Sequence, residues 1–307
     1  MAHLNNILLP STEEEIIDIP PEKRIFVFWQ CLPGKSVPGY ITLCLQTLVN
    51  FNPDHKIIFL NYENIYILLG DVIDWNKFIH LKMMHQSDIL KAHFCVKYGG
   101  SFIDADTIYT GSIEWLNSFS NDTLVGTART RNRMQFGFLS IKNKKNFLLW
   151  HVREMQSNRI TMTPIENLTE CSWDYFSCAI VDPMIEFDFW RDDKIITLLP
   201  IETISLERSF DYPGKVTSVA REELYRNFWF GNLDFSISDL ISFAKYNVII
   251  LHNSWTEDLT NNMSASEFIE KNYTMAKLFR VLLNCEKIDE SQLIKIPYCG
   301  YVLKKKL

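Results

Sequence analysis

The chain has 307 residues, 47% hydrophobic and 22% charged, enough for a large buried core, which excludes a collagen-like repeat, a disordered chain and a disulfide-stapled mini-protein. Its 31 Lys and Arg against 37 Asp and Glu leave a formal charge of -6, too weak a field for nucleic acid to be an expected partner. The seven cysteines, at 31, 44, 95, 171, 178, 285 and 299, never form Cys-x-x-Cys and read as reduced thiols packed as small apolar groups.

From the N-terminus, Met1 to Glu22 carries the acidic run Glu13-Glu14-Glu15 where a leader would need a basic region and an apolar stretch. No secretory signal is expected, and a cytoplasmic location follows. Arg24 to Trp29 is an unbroken apolar strand of the kind buried on both faces of a sheet. A loop with Pro33, Gly34, Pro38 and Gly39 leads to a helix over Ile41 to Val49, which ends before Asn52-Pro53. Lys56 to Leu60 is the next strand, closing a strand, helix, strand unit typical of α/β proteins. Ser87 to Tyr98 shows apolar spacings of three and four, with Ser at its start and Gly99-Gly100 after it, and predicts a helix. Ser101 to Asp104 is then a short strand leading into Asp104-Ala105-Asp106.

Further strands are predicted over Thr123 to Gly126 and Met134 to Ile141, with a helix over Lys144 to Met155. Trp173 to Trp190 is apolar and helical in pattern, with Pro183 breaking or kinking it. Asn247 to Leu251 is a late buried strand, followed by His252-Asn253-Ser254-Trp255, and a last helix is predicted from Ser264 to Leu283. With no internal repeat and no Pro/Gly/Ser-rich linker, a single domain over 1–307 is expected. The tail Lys304-Lys305-Lys306 reads as solvated, with at most peripheral contact at the inner face of a membrane.

An Asp-x-Asp tripeptide is common by chance, and its bland reading is a helix cap and a turn residue. At the carboxyl end of a strand, where open α/β sheets place ligands, it also suits a divalent cation. Mg²⁺ or Mn²⁺ bound by one or two carboxylates completes its shell with phosphate oxygens. The ordered run Ser87-Asp88-x-x-Lys91, Tyr98-Gly99-Gly100, Asp104-Ala105-Asp106 resembles the core of the retaining GT-A sugar-nucleotide glycosyltransferases. Their shared pattern is Ser-Asp-x-x-Arg, Tyr-Gly-Gly, Asp-x-Asp, and they include capsular polysaccharide synthesis transferases, yeast-type initiating mannosyltransferases and clostridial glucosylating toxins. Phe28-Trp29-Gln30 and Asn52-Pro53-Asp54 are most similar to the capsular group, and the resemblance is densest over 24–116.

The resemblance implies a GT-A fold, a mixed sheet flanked by helices, with 24–116 as the nucleotide-sugar core and 117–307 as the acceptor side. It implies a UDP-sugar donor, a glycan or lipid-linked oligosaccharide acceptor, and Mn²⁺ or Mg²⁺ as cofactor. Asp106 would bind the cation, and Asp104 would touch it or the donor's ribose or sugar. Asp88 would bond donor hydroxyls and Ser87 the ribose, while Trp29, between Phe28 and Gln30, would lie near the uracil. Lys91 replaces the family's Arg, keeping the charge and losing the bidentate fork. Gly100 and Ala105 complete the donor side of the core.

His252 is the implied third metal ligand, with Asn253, Ser254 and Trp255 closing over the diphosphate. The basic stretch Arg129 to Arg133 is a candidate anion contact. Gln135 is placed facing the anomeric carbon, and Asp174 as a group orienting the acceptor hydroxyl. Two other functions share parts of the pattern. A host-protein-modifying glycosyltransferase toxin has the same site chemistry. Haloacid dehalogenase phosphatases also carry Asp-x-Asp after a strand, here with Asp192-Asp193 as a later acidic pair, although Ile108 stands where their motif prefers Thr or Val and their motif ends the first core strand.

Overall fold

A computed structural model describes residues 7–31, 36–130, 133–186, 196–200, 202 and 205–294. Strands β1 (Ile7–Leu8), β2 (Arg24–Phe28), β3 (Lys56–Leu60) and β4 (Gly100–Ile103) are joined by helix α1 (Gly39–Phe51) between β2 and β3 and by α2 (Met83–Tyr98) before β4. After the short β5 (Thr107–Tyr109) come β6 (Leu124–Thr130), β7 (Arg133–Ile141), α3 (Phe147–Met162), α4 (Cys178–Glu186) and β8 (Ile196–Leu199). Helix α5 (Arg221–Phe230), β9 (Val248–Ile250), α6 (Ala265–Ile269) and α7 (Thr274–Leu283) follow.

The main sheet runs β1-β3-β2-β4-β7-β6-β8. Its first four strands are parallel, β7 is antiparallel to both β4 and β6, and β8 is parallel to β6. It is therefore the mixed α/β sheet expected. Strands β2 and β3 alternate with period two between two cores, so both faces are covered. Ile25, Val27, Ile57, Phe59 and Ile103 point to the side of α1 and the C-terminal helices. Phe26, Phe28, Ile58, Leu60 and Phe102 point to the side of α2 and α3. Phe26, Phe94, Tyr98 and Phe102 form a ring cluster there, with centroids 5.3–6.2 Å apart.

Three expectations differ in detail. Residues 173–177 precede α4, which begins at Cys178 and carries Pro183 within it; the predicted continuation to Trp190 lies outside the described residues. The long C-terminal helix is two, because the chain turns at 270–273 and Thr274 donates its N–H to Gly231 O at 2.9 Å. Helix α2 starts four residues before Ser87, which moves Ser87 and Asp88 from a cap into its second turn. The late buried strand is present as expected, as β9, which pairs antiparallel with β5, Ile108 opposite Ile249.

Gly99 and Gly100 turn α2 into β4. Both have positive φ, 69° and 114°, and a Cβ on Gly100 would stand 2.9 Å from Arg24 Cβ. Gly100 thus serves the helix-to-strand turn at the end of β4 remote from Asp104, which corrects its expected place in a donor pocket.

Candidate active site

Asp104 follows β4 directly and is held by its N–H on Gly137 O of β7, at 3.0 Å. The neighbouring wall comes from α2. Ser87 donates its hydroxyl to Asp104 Oδ1 at 3.2 Å, and Lys91 Nζ lies 2.6 Å from the same oxygen and 3.3 Å from Asp88 Oδ1. The spacing is helical: residues 87, 88 and 91 share one face of α2, turned toward the end of β4. The far wall is the segment after β9. Leu251 donates its N–H to Asp106 O, and Asn253 donates its N–H to Asp106 Oδ2, each at 3.0 Å. Tyr40 of α1 donates to Asn253 Oδ1, and His252 N–H donates to the Tyr225 hydroxyl of α5 at 3.1 Å.

Burial disfavours the ionised form of Asp106, and Asp104 repels it; the Asn253 N–H and Lys91 oppose these effects only in part, and the pKa is pushed up to about 7. Burial likewise raises Asp88 to about 6, with Lys91 and the Ser177 hydroxyl pulling the other way. Lys91 is itself raised: burial works against its charge, and Asp104 and Asp88 more than offset that.

Several expected residues are brought together here: Ser87, Asp88, Lys91, Asp104, Asp106 and Asn253. His252 lies beside them, its ring 4.1 Å from Trp255 and packed against the Tyr225 ring at 5.4 Å. Trp255 in turn carries the Arg221 guanidinium 5.3 Å from its ring, while Ser254 is exposed.

Phe28 and Ala105 bury their side chains in the two cores. Gln30 is buried and spans the loops after β2 and β3, accepting the Tyr62 N–H at 3.0 Å and donating to Cys31 O. Trp29 is half-buried against the α1 core, and its indole N–H is buried with no hydrogen-bond partner among the described residues. Gln135 lies two residues from Gly137 on β7, where the pairing with β6 shifts register: Leu139 stands opposite Gly126 and Gln135 opposite Thr127. Asp174 stands outside the Asp104–Asp106 contacts, beside His85, and its carbonyl accepts the N–H groups of Ser177 and Ala179 at 3.0 Å. Arg133 is half-exposed, 3.9 Å from Asp182; Arg131 and the Arg129 side chain lie outside the described residues, as do Asp192 and Asp193.

Sequence reasoning missed Tyr40, Tyr225, Gln156, Ser177 and Gly137. Gln156 of α3 donates to Asp88 O at 3.1 Å and to Phe176 O at 2.6 Å, so it ties α2 to the segment before α4. None has a local signal: each is an ordinary residue within its own element. Gly137 shapes the space beside the acidic pair, since a Cβ there would stand 3.1 Å from Ile250 Cγ2 and 3.4 Å from Asp104 Oδ2. Gly137→Ala is expected to lower kcat/KM about tenfold by filling the space beside Asp104 Oδ2. The thermal midpoint should also fall, because the added Cβ overpacks the buried Ile250; a variant with unchanged kinetics would show that this space is not used.

The sequence profile described as "Capsular polysaccharide synthesis protein" matches residues 3–176, more than half of the chain. The chain belongs to the capsular polysaccharide synthesis family. That is the family group to which the motifs are most similar. Among solved structures, the PaToxG glycosyltransferase is 12% identical over 57% of this chain and 73% of its own, with a TM-score of 0.42. The glycosyltransferase GlyE of Streptococcus pneumoniae TIGR4 is 12% identical over 88% of this chain and 62% of its own, with a TM-score of 0.35. At that level of superposition neither likeness adds to the assignment. No curated protein matches the sequence. The phosphatase alternative fails on topology as well: in this capsule-synthesis family member the Asp pair follows the fourth strand in chain order, not the first. Among the described residues no helix is long and apolar enough to cross a membrane.

Proposed function

We propose that the chain transfers a hexose from a UDP-sugar to a hydroxyl of a surface-glycan acceptor, with retention of anomeric configuration and with a divalent cation at Asp106 and Asp104. The observation that carries this is the meeting of three distant segments on one acidic pair: the face of α2 with Ser87, Asp88 and Lys91, the end of β4, and the segment after β9 with Asn253.

The donor set fits a hard cation. Both side chains offer carboxylate oxygens, and the missing Cβ of Gly137 leaves room beside Asp104 Oδ2. When bound, Mn²⁺ or Mg²⁺ supplies charge neutralisation on the departing diphosphate. The chain's own groups do the rest. Asp88, half shielded by Lys91 and Ser177, accepts hydrogen bonds from donor hydroxyls. The half-buried Trp29 ring would lie against the donor base, and the Asn253 N–H fixes Asp106 Oδ2. The bond from the acceptor oxygen to the anomeric carbon forms as the bond to the phosphate oxygen breaks, and that oxygen takes the acceptor's proton. No His–carboxylate dyad is then required.

A panel of UDP- and GDP-sugars with Mn²⁺ tests this, scoring nucleoside diphosphate release and thermal stabilisation. One UDP-sugar is expected to be turned over and to raise the melting temperature only when Mn²⁺ is present. Stabilisation by a GDP-sugar and by none of the UDP-sugars would overturn the uridine assignment at Trp29.

A further inference from the structure

We infer that Lys91 is a positioning residue that sets how tightly the acidic pair takes a divalent cation, and that it makes no contact with the donor's diphosphate. The inference rests on the cation reading proposed above. The Lys91 side chain is only 2% exposed, so its ammonium has no open face for a ligand. It lies 2.6 Å from Asp104 Oδ1 and 3.3 Å from Asp88 Oδ1, and the Ser87 hydroxyl reaches the same Asp104 oxygen. One oxygen of Asp104 is thereby committed to α2, and the carboxylate is held in a single orientation with Oδ2 toward the space beside Gly137.

Two carboxylates, Asp88 and Asp104, share this buried ammonium. A positive charge in salt-bridge contact with Asp104 competes directly with a divalent cation for the same carboxylate. Lys91 therefore weakens cation binding while it fixes the geometry that turnover needs. Ordinary loss of a structural residue would lower affinity and rate together. Removing Lys91 should move them in opposite directions.

The test is calorimetric titration of the full chain with Mn²⁺ alone at pH 8, beside steady-state kinetics. Lys91→Met is expected to bind Mn²⁺ about tenfold more tightly and to lose about 100-fold in kcat with donor KM little changed, the signature of lost positioning. Lys91→Arg, which keeps the charge, should return both values toward the parent. Should Lys91→Met not fold because two buried carboxylates lose their counter-charge, the double variant Lys91→Met with Asp88→Asn removes one charge of each sign, and its Mn²⁺ affinity should rise in the same direction. Unchanged or weaker Mn²⁺ binding, or a raised donor KM at unchanged kcat, overturns the inference and leaves the proposed function standing. A parent chain that binds Mn²⁺ but turns over no nucleotide sugar overturns that function, and the Mn²⁺ shift still decides the role of Lys91. A parent chain that binds no Mn²⁺ overturns the cation reading and this inference together.

Discussion

Asp106→Asn is expected to lower turnover about 100- to 1000-fold, the scale seen when one preorganised electrostatic group at a developing charge is removed, while the folded chain becomes no less stable at pH 8. The substitution is isosteric. The amide oxygen still accepts the Asn253 N–H that now reaches Asp106 Oδ2 at 3.0 Å, so the segment after β9 keeps its anchor. The negative charge is lost, and with it the means of holding a cation. Stability should move the other way, because burial and Asp104 make the ionised Asp106 unfavourable in the fold. At a pH above its raised pKa that unfavourable charge is present in the parent and absent in the variant. Kinetics with saturating Mn²⁺, beside thermal midpoints without it, separate the two effects. A variant with parental kcat would remove Asp106 from the site.

The second large effect is proton-linked cation binding. Without a cation, Asp106 holds its proton up to about pH 7 and Asp88 up to about pH 6. A cation needs the carboxylate, so its binding must release a proton below pH 7. The Mn²⁺ association constant is expected to rise about tenfold per pH unit between pH 5 and 7, then level off. The sign for folding is opposite. Between the ordinary carboxylate value of 3.8 and about 7 the folded chain binds more protons than the unfolded one, so cation-free stability falls as pH rises through that window. Thermal midpoints from pH 5 to 8, with and without Mn²⁺, should therefore diverge, falling without it and holding or rising with it. Titrations in two buffers of different ionisation enthalpy count the protons released. Parallel midpoint curves would show that no proton is exchanged for the cation at this site.

Much of this site is legible along the chain because its parts are local devices. A strand covered on both faces must be apolar along its covered length, so the runs at 25–28 and 57–60 announce themselves. Gly99-Gly100 marks the helix-to-strand turn by its backbone requirement, and the spacing of 87, 88 and 91 is that of one helix face. Other expectations failed for equally physical reasons. The run from Ser264 to Leu283 has helical apolar spacing throughout, yet a tertiary hydrogen bond from Thr274 to Gly231 starts a new helix. Trp173 to Ser177 continues the apolar pattern, yet α4 begins only at Cys178, because the Asp174 carbonyl takes the Ser177 and Ala179 N–H groups in a turn before it.

By itself, the amino-acid sequence determined the α/β class, the strand and helix that converge on Asp104, and the identity of the acidic pair, since each depends on periodicity or on residues a few positions apart. Only the tertiary structure decided that β5 pairs with β9 and brings Asn253 onto Asp106, that Gly137 leaves the space beside Asp104, and that Lys91 is buried between two carboxylates. Apart from the Lys91–Asp88 pair within one helix turn, those contacts join segments from 13 to nearly 150 positions apart. They arise from the packing of whole elements, which no local pattern of residues encodes.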